Sequence, residues 1–174
     1  LQNTATQISG ELQIVEATLK QSVWIVEKNL STPDSLRDIL TAIVKNNSLI
    51  VGSGIAFIPE YYKEKGKYFM PYAFSINEGE EEIINFLKLG GADYDYPCMD
   101  WYLIPKLLKK SYWSEPYYDT GGGNTIMSTY SLPLCNQQGE VYAIFTANIS
   151  LSRFTDMVNE LKPYQSSYTF LLSR

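Results

Sequence analysis

The sequence predicts an α+β domain built on one antiparallel sheet, and three observations predict it. The first thirty residues carry a helical apolar stripe, later runs rich in β-branched and aromatic residues are joined by short turns, and helical segments stand before and between those runs. Strands linked by short turns pair locally, which makes the sheet antiparallel. At 174 residues one domain is the default, since a chain of this size hides about two thirds of its unfolded surface. The sequence shows no internal repeat and no low-complexity linker.

From about Thr4 to Leu30 the residues Ile8, Leu12, Val15, Leu19, Val23, Val26 and Leu30 recur at steps of three and four, the spacing of one helix face. A second set, Ile14, Ala17, Trp24 and Ile25, broadens that face, which reads either as one wide intramolecular surface or as a surface shared with a partner chain. "STPDSLRDILTAIVKNN" restarts a helix, with Thr32 as cap, Pro33 at the first helical position and Asp34 at the positive helix end. The chain therefore divides into a long helix at 1–31 and a larger unit at 32–174, expected to form one structural body.

"SLIVGSGIAFIPE" and "KYFMPYAFSIN" predict strands at about 49–58 and 67–76, joined as a hairpin by "YKEKGK". Glu78 to Glu82 read as a solvated acidic loop, and "IINFLKL" as either a short strand or a helical turn. "MDWYLIPKLLKK" reads as a short helix disturbed by Pro105, followed by the loop "SYWSEPYYDTGGG". "NTIMSTYSLPLCN" and "VYAIFTANIS" form a long hairpin turning at Gly139, then "LSRFTDMVNELK" reads as a helix and "SYTFLLS" as a last strand.

Composition excludes several functions. The net charge is −5 and the 14 Lys and Arg are scattered, so no basic stripe meets a phosphate backbone and nucleic acid is not an expected partner. With no histidine, the commonest general base and transition-metal ligand are missing. Cys98 and Cys135 cannot make a four-ligand zinc site alone, and they read either as a disulfide or as two buried thiols. No apolar run is long enough to span a bilayer, and the chain opens without a basic-then-apolar signal segment, so it reads as a cytosolic piece or as the soluble part of something larger.

Function is expected in the aromatic stretch "DWYLIPKLLKKSYWSEPYYD". Its tryptophans and tyrosines sit beside Pro, Ser, Glu and Asp in a loop, where flat apolar rings with polar tips can enclose a small organic ligand. Leu103, Leu107 and Leu108 are the expected core residues of this stretch. "GGGN" at Gly121–Asn124 lacks the Lys-Ser/Thr of a phosphate loop and reads as a hinge or lid. "DYDY" at Asp93–Tyr96 offers carboxylates but no EF-hand pattern, so no metal is expected.

These residues resemble a known family. "YDYPCMDWY", then "WSEPYYD", then a long hairpin and a helix look like the Cache sensor domains, the PAS-like, PDC-type modules that bacterial receptors carry outside the cytoplasm. Members that bind amino acids carry a Tyr, an Arg five residues on, a Trp with an adjacent Tyr two further, then Tyr-x-Asp and a later Asp. Tyr94, Trp101, Tyr102, Tyr117 and Asp119 match in order, and Trp113 opens the second motif. The Arg position falls on Met99, which cannot grip a carboxylate. The late Asp falls near Thr146 to Asn148, neutral hydrogen-bonders.

The resemblance implies a PAS-like central antiparallel sheet under a long N-terminal helix, with "TGGGN" flanking a lid. It also implies the first of two tandem modules in a periplasmic part of a histidine kinase or related receptor. The implied site is Tyr94, Met99, Trp101, Tyr102, Trp113, Tyr117, Asp119, Thr146 and Asn148, binding a small polar or amine-bearing molecule, without cofactor, metal or catalysis. A homodimer through the first helix is implied as well, with the membrane reached only through flanking segments. The competing readings are a carboxylate-dependent hydrolase using Asp119 and Glu115, and a ligand-free structural module.

Overall fold

The computed structural model describes residues 2–78, 81–91, 94–121, 124–152 and 155. Helices α1 (Gln2–Lys28) and α2 (Leu36–Lys45) precede strands β1 (Ile50–Phe57), β2 (Met70–Glu78) and β3 (Glu81–Leu89). Helix α3 (Asp100–Leu108) is followed by the short strands β4 (Tyr112–Trp113) and β5 (Tyr117–Tyr118), and then by β6 (Ile126–Cys135) and β7 (Val141–Ser150). The strands form one seven-stranded antiparallel sheet ordered β3-β2-β1-β7-β6-β4, with β5 also paired to β6. This is the expected α+β, PAS-like architecture.

Each face of the sheet is covered by a different part of the chain. Val15, Leu19 and Val26 of α1 and Leu36, Leu40 and Val44 of α2 pack with Ile50, Ile55 and Phe57 of β1 and Phe145 and Ala147 of β7. The first helical stripe thus buries against the sheet, while Ile14 and Trp24 of the second set stay exposed. On the opposite face, Trp101 and Tyr102 of α3 pack with Ala56, Met70, Tyr72, Tyr94, Tyr96 and Ile144. Strand alternation makes the division, because successive side chains of one strand point to opposite faces.

Several local expectations are corrected. The segment "IINFLKL" is strand, and the ladder of β2 with β3 runs through Asn77↔Glu82 and Glu78↔Glu81, so the acidic stretch is mostly sheet and not loop. Thr32 makes no side-chain cap; a 3-10 turn at Pro33–Ser35 leads into α2, and Asp34 pairs with Lys65 at 2.9 Å. Leu103, Leu107 and Leu108 are exposed, whereas Trp101, Tyr102 and Pro105 are the buried residues of α3. Positions 101, 102 and 105 share one helical face, and in nine residues that face can bury only those side chains. Cys98 and Cys135 are free and exposed, not buried. Gly139 takes φ 75° in the β6–β7 turn, as a glycine there allows. Among the described residues no helix is long and apolar enough to cross a membrane. The expected helix and strand after Ser150 lie outside the described residues except for 151, 152 and 155, as do Asp93, Gly122 and Gly123.

Candidate ligand-binding site

The face of the sheet under α3 has an unusual floor. β1 presents Gly52, Gly54 and Ala56 there, opposite Asn148, Thr146 and Ile144 of β7 and beside Tyr72 and Phe74 of β2. β7 in turn faces β6 through Thr129↔Asn148 and Ser131↔Thr146. Small residues in the central strand let the Tyr72 ring cross β1, and Asn148 Nδ2 donates to the Tyr72 hydroxyl at 2.9 Å. Thr146 donates to the Gly54 carbonyl at 3.2 Å, so its only proton is used within the sheet.

From Asn148 the hydrogen bonds continue outward. Thr129 Oγ1 donates to Asn148 Oδ1 at 3.1 Å, and Tyr117 shares a 2.7 Å contact with Thr129 Oγ1. Since Thr129 has one hydroxyl proton and gives it to Asn148, Tyr117 is the donor in that contact. Beside this chain, Tyr94 donates to Asp119 Oδ1 at 2.7 Å. Asp119 is only 3% exposed, and its backbone N–H donates to the Thr125 carbonyl at 3.0 Å. Burial first, and then the Asp119 charge, hold the Tyr94 phenol well above the usual tyrosine range. Burial and the same charge also push up Tyr72 and Tyr117, the Asn148 and Thr129 hydrogen bonds partly opposing the shift. All three phenols therefore stand close to one carboxylate and stay protonated.

Outside this network a cleft of about 330 Å³ opens between residues 98–101 at the start of α3 and residues 114–117 between β4 and β5. That volume falls in the range of small-molecule pockets. Trp101 and Tyr117 form its inner wall, Met99 its side, and Asp100 and Glu115 its rim; among the described residues no Lys or Arg lines it. Trp101 is 3% exposed, and among the described residues its Nε1 has no hydrogen-bond partner, nor do the Tyr102 and Ser131 hydroxyls on the same face. Buried donors without partners are costly in a structural core. No cluster of three or more potential metal-ligating side chains occurs among the described residues.

Eight of the nine residues expected at the site lie on this one face: Tyr94, Met99, Trp101, Tyr102, Tyr117, Asp119, Thr146 and Asn148. The structure sets Trp113 apart. It pairs with Tyr130 in the β4–β6 ladder, packs tilted against that ring with centroids 5.2 Å apart and donates through Nε1 to Glu16 Oε1 of α1 at 3.1 Å. Ser114, the residue after β4, turns to the cleft instead, its backbone N–H donating to the Thr129 carbonyl at 2.9 Å. Sequence reading missed Tyr72, Thr129 and the glycine pair of β1. The signal was present in "VGSGIAF", since glycines inside a strand mark close approach of another group.

One antiparallel sheet between a long N-terminal helix and a short aromatic helix is the α+β architecture of PAS-like sensor modules. The chain belongs to the family described as methyl-accepting chemotaxis protein-like, first PDC sensor domain, whose model matches residues 36–156. The expected Cache resemblance, and its placement as the first module, agree with that membership. The chain is similar to the extracellular domain of soHK1S-Z6, described as a histidine kinase, with 26% identity over 90% of this chain and 59% of that one and a TM-score of 0.77. It is similar to methyl-accepting chemotaxis protein X at 21% identity over 95% and 65% of the two chains, TM-score 0.79. It also shares its fold with the ligand-binding domain of the Pseudomonas aeruginosa amino-acid chemoreceptor PctC in complex with GABA, at 15% identity over 91% and 64%, TM-score 0.56. The chain spans less than two thirds of the length of each of these relatives. No curated protein matches it. Family and structural relatives are sensor domains and not enzymes, and the hydrolase reading falls with that finding.

Proposed function

We propose that this domain is the extracytoplasmic sensing module of a transmembrane receptor of the histidine kinase or chemoreceptor kind, and that its ligand is a small amine held as a cation beside Asp119. The observation that carries the reading is the direction of the hydrogen bonds. Tyr94 spends its proton on Asp119 and Tyr117 spends its proton on Thr129, so toward a ligand both phenols offer lone pairs only. The Asp119 charge and the lone pairs of two phenols suit a cationic donor such as an ammonium, which supplies three N–H groups, while the Trp101 Nε1 and the Tyr102 and Ser131 hydroxyls on the same face suit an acceptor elsewhere on the ligand. Aromatic faces around it attract a cation further. Asp100 and Glu115 at the rim add negative potential. Met99 supplies no charge for a ligand carboxylate, which separates this site from an amino-acid site.

Isothermal titration with panels of primary alkylamines, amino acids and sugar acids tests the reading. Amines bind the wild type, and Asp119→Asn weakens them by tenfold or more, about 1.4 kcal/mol. Binding of amino acids or sugar acids with no amine in the panel binding would sink it.

Ligand binding shifts a receptor only between states that it binds differently, and the helix that joins sensor to membrane is the element to bias. A second copy docks on the outward side of α1, where Ile14 is 51% and Trp24 63% exposed. Val15 is fully buried, so it serves its own core and not a dimer. Ile14→Glu with Trp24→Glu lowers the mass measured by light scattering at high concentration; an unchanged mass refutes this contact.

A further inference from the structure

We infer that the chain carries a second small-molecule site where the end of α1, the β1–β2 connection and the β6–β7 turn meet, and that it takes a neutral polyhydroxylated ligand of the saccharide class. A cleft of about 540 Å³ opens there, with Glu27, Tyr61, Gln137, Gln138 and Tyr142 in its lining, and its volume falls in the range of small-molecule sites. Among the described residues it shares none with the cleft beneath α3. Its frame is held from three directions. The Tyr62 hydroxyl donates to the Leu30 carbonyl at 2.6 Å and ties the chain leaving α1 to the β1–β2 connection. The Tyr61 ring stacks on Phe57 at 5.1 Å and on Tyr142 at 5.6 Å. In the β6–β7 turn, Asn136 Oδ1 accepts from the backbone N–H groups of Gln138 and Glu140 at 3.0 and 2.9 Å, and Asn136 Nδ2 donates to Glu140 Oε2 at 2.9 Å. Asn136 is thus spent on the turn, which leaves the amides of Gln137 and Gln138 for the cleft.

The Tyr142 hydroxyl is the observation that points to a ligand. Tyr142 is 8% exposed, and among the described residues its hydroxyl has no hydrogen-bond partner, a costly state for a group that only supports a fold. Glu27, Gln137 and Gln138 are exposed, so Tyr142 is the floor of the cleft and they are its rim. Burial first, and then the Glu27 charge, hold this phenol above the usual tyrosine range, so it stays a neutral hydroxyl that both donates and accepts. The two glutamine amides also work in both senses, and Glu27 accepts. Hydroxyl groups on one ligand answer all of them, since each donates and accepts. Tyr61, 37% exposed, adds a flat apolar ring on which the C–H face of a sugar ring can lie. Among the described residues no Lys or Arg lines the cleft to hold an acidic sugar. Glu27 is screened by water and pulls little on a bare cation.

Saturation-transfer NMR and calorimetric titration of the protein with glucose, galactose, maltose and galacturonate test this. At least one of the three neutral sugars binds with millimolar affinity, and its ring C–H protons receive saturation. Tyr142→Phe keeps the ring and removes only the hydroxyl; it weakens that sugar at least fivefold while leaving the urea midpoint of the sugar-free protein no lower than in the wild type. A hydroxyl with a purely structural role would show the reverse. Tyr61→Ala weakens binding at least tenfold. Should Tyr61→Ala not fold, the double variant Gln137→Ala with Gln138→Ala, at an exposed turn, repeats the measurement and weakens binding at least threefold. A wild type that binds none of the neutral sugars, or binds galacturonate alone, overturns the inference, as does a sugar affinity unchanged in Tyr142→Phe.

Discussion

Trp113 ties the segment that carries the cleft to the long helix, and replacing it with Phe measures that tie. Its Nε1 donates to Glu16 Oε1 at 3.1 Å, while Glu16 Oε2 accepts from Lys20 at 3.0 Å and the Lys20 ammonium lies 5.8 Å from the Tyr130 ring centre. One residue on, Ser114 accepts the Thr129 backbone N–H at 2.9 Å and faces the cleft. Phe keeps a ring against Tyr130 and removes only the indole N–H and part of the ring. A hydrogen bond to a charged acceptor contributes about 1.5–3 kcal/mol, and Glu16, whose side chain is 30% exposed, puts this one at the lower end, about 1.5 kcal/mol. In a chain of this size that lowers Tm by about 3–6 °C. Urea denaturation of Trp113→Phe, Glu16→Ala and the double variant completes a cycle, with an expected coupling of about 1 kcal/mol. Additivity to within about 0.3 kcal/mol would show that ring packing alone holds β4 to α1, and the argument for a tie through the carboxylate would be refuted.

Two further outcomes follow from burial. Tyr72, Tyr94, Tyr96, Tyr102 and Tyr117 have phenols raised by burial first, Tyr102 to about 12. In the unfolded chain they ionise near 10, so above that pH the unfolded state holds fewer protons and stability falls as pH rises. It is complete below about pH 10 and declines from there, the Tyr102 share ending near 12, by up to about 1.4 kcal/mol per pH unit for each tyrosine. The urea midpoint should drop between pH 9 and pH 11 together with a rise in tyrosinate absorbance; tyrosines that ionise near 10 in the folded protein would contradict this. Leu107 and Leu108 are 70% and 61% exposed, so Leu107→Gln and Leu108→Gln change stability by less than about 0.5 kcal/mol, and a loss above 2 kcal/mol would mean that α3 buries its leucine face.

The α+β class, the hairpin of β1 with β2, the long β6–β7 hairpin and the gathering of eight of the nine expected residues on one face were legible because each rests on local pattern. Periodicity identifies α1, β-branched runs identify β1 and β7, and motif order brings Tyr94, Trp101 and Asp119 together. What sequence did not show depends on which face a short element turns to the core. In "DWYLIPKLLKK" the leucines are the more apolar residues, yet the aromatic face packs on the sheet because Trp101 and Tyr102 bury more area per residue. Two-residue β4 is too short for alternation to be read, so the sequence did not show that Trp113 turns away from the cleft that Ser114, just after the strand, faces. Tyr72 was hidden because its place depends on two glycines in a neighbouring strand twenty residues away, a pairing that only the sheet register reveals.

The distribution of buried polar groups argues that the two faces of the sheet serve different ends. Among the described residues the buried polar side chains are Ser53, Ser114, Asp119, Thr129, Ser131, Thr146, Asn148 and Ser150. Ser53 alone alternates with the glycines of β1 toward the helices, where it donates to the Thr146 carbonyl at 2.8 Å. The others belong to the side that carries the cleft. Apolar residues at those positions would bury as well without the desolvation cost of hydroxyl, amide and carboxylate groups. A face that only supported the fold would be expected to match the Ile50, Ile55, Phe57, Phe145 surface opposite it. Thr129, Tyr117, Asn148 and Tyr72 instead hydrogen-bond to one another, and Tyr94 donates to Asp119. That arrangement is not what close packing alone would select, and Trp113, on the same strap but turned the other way, joins it to α1.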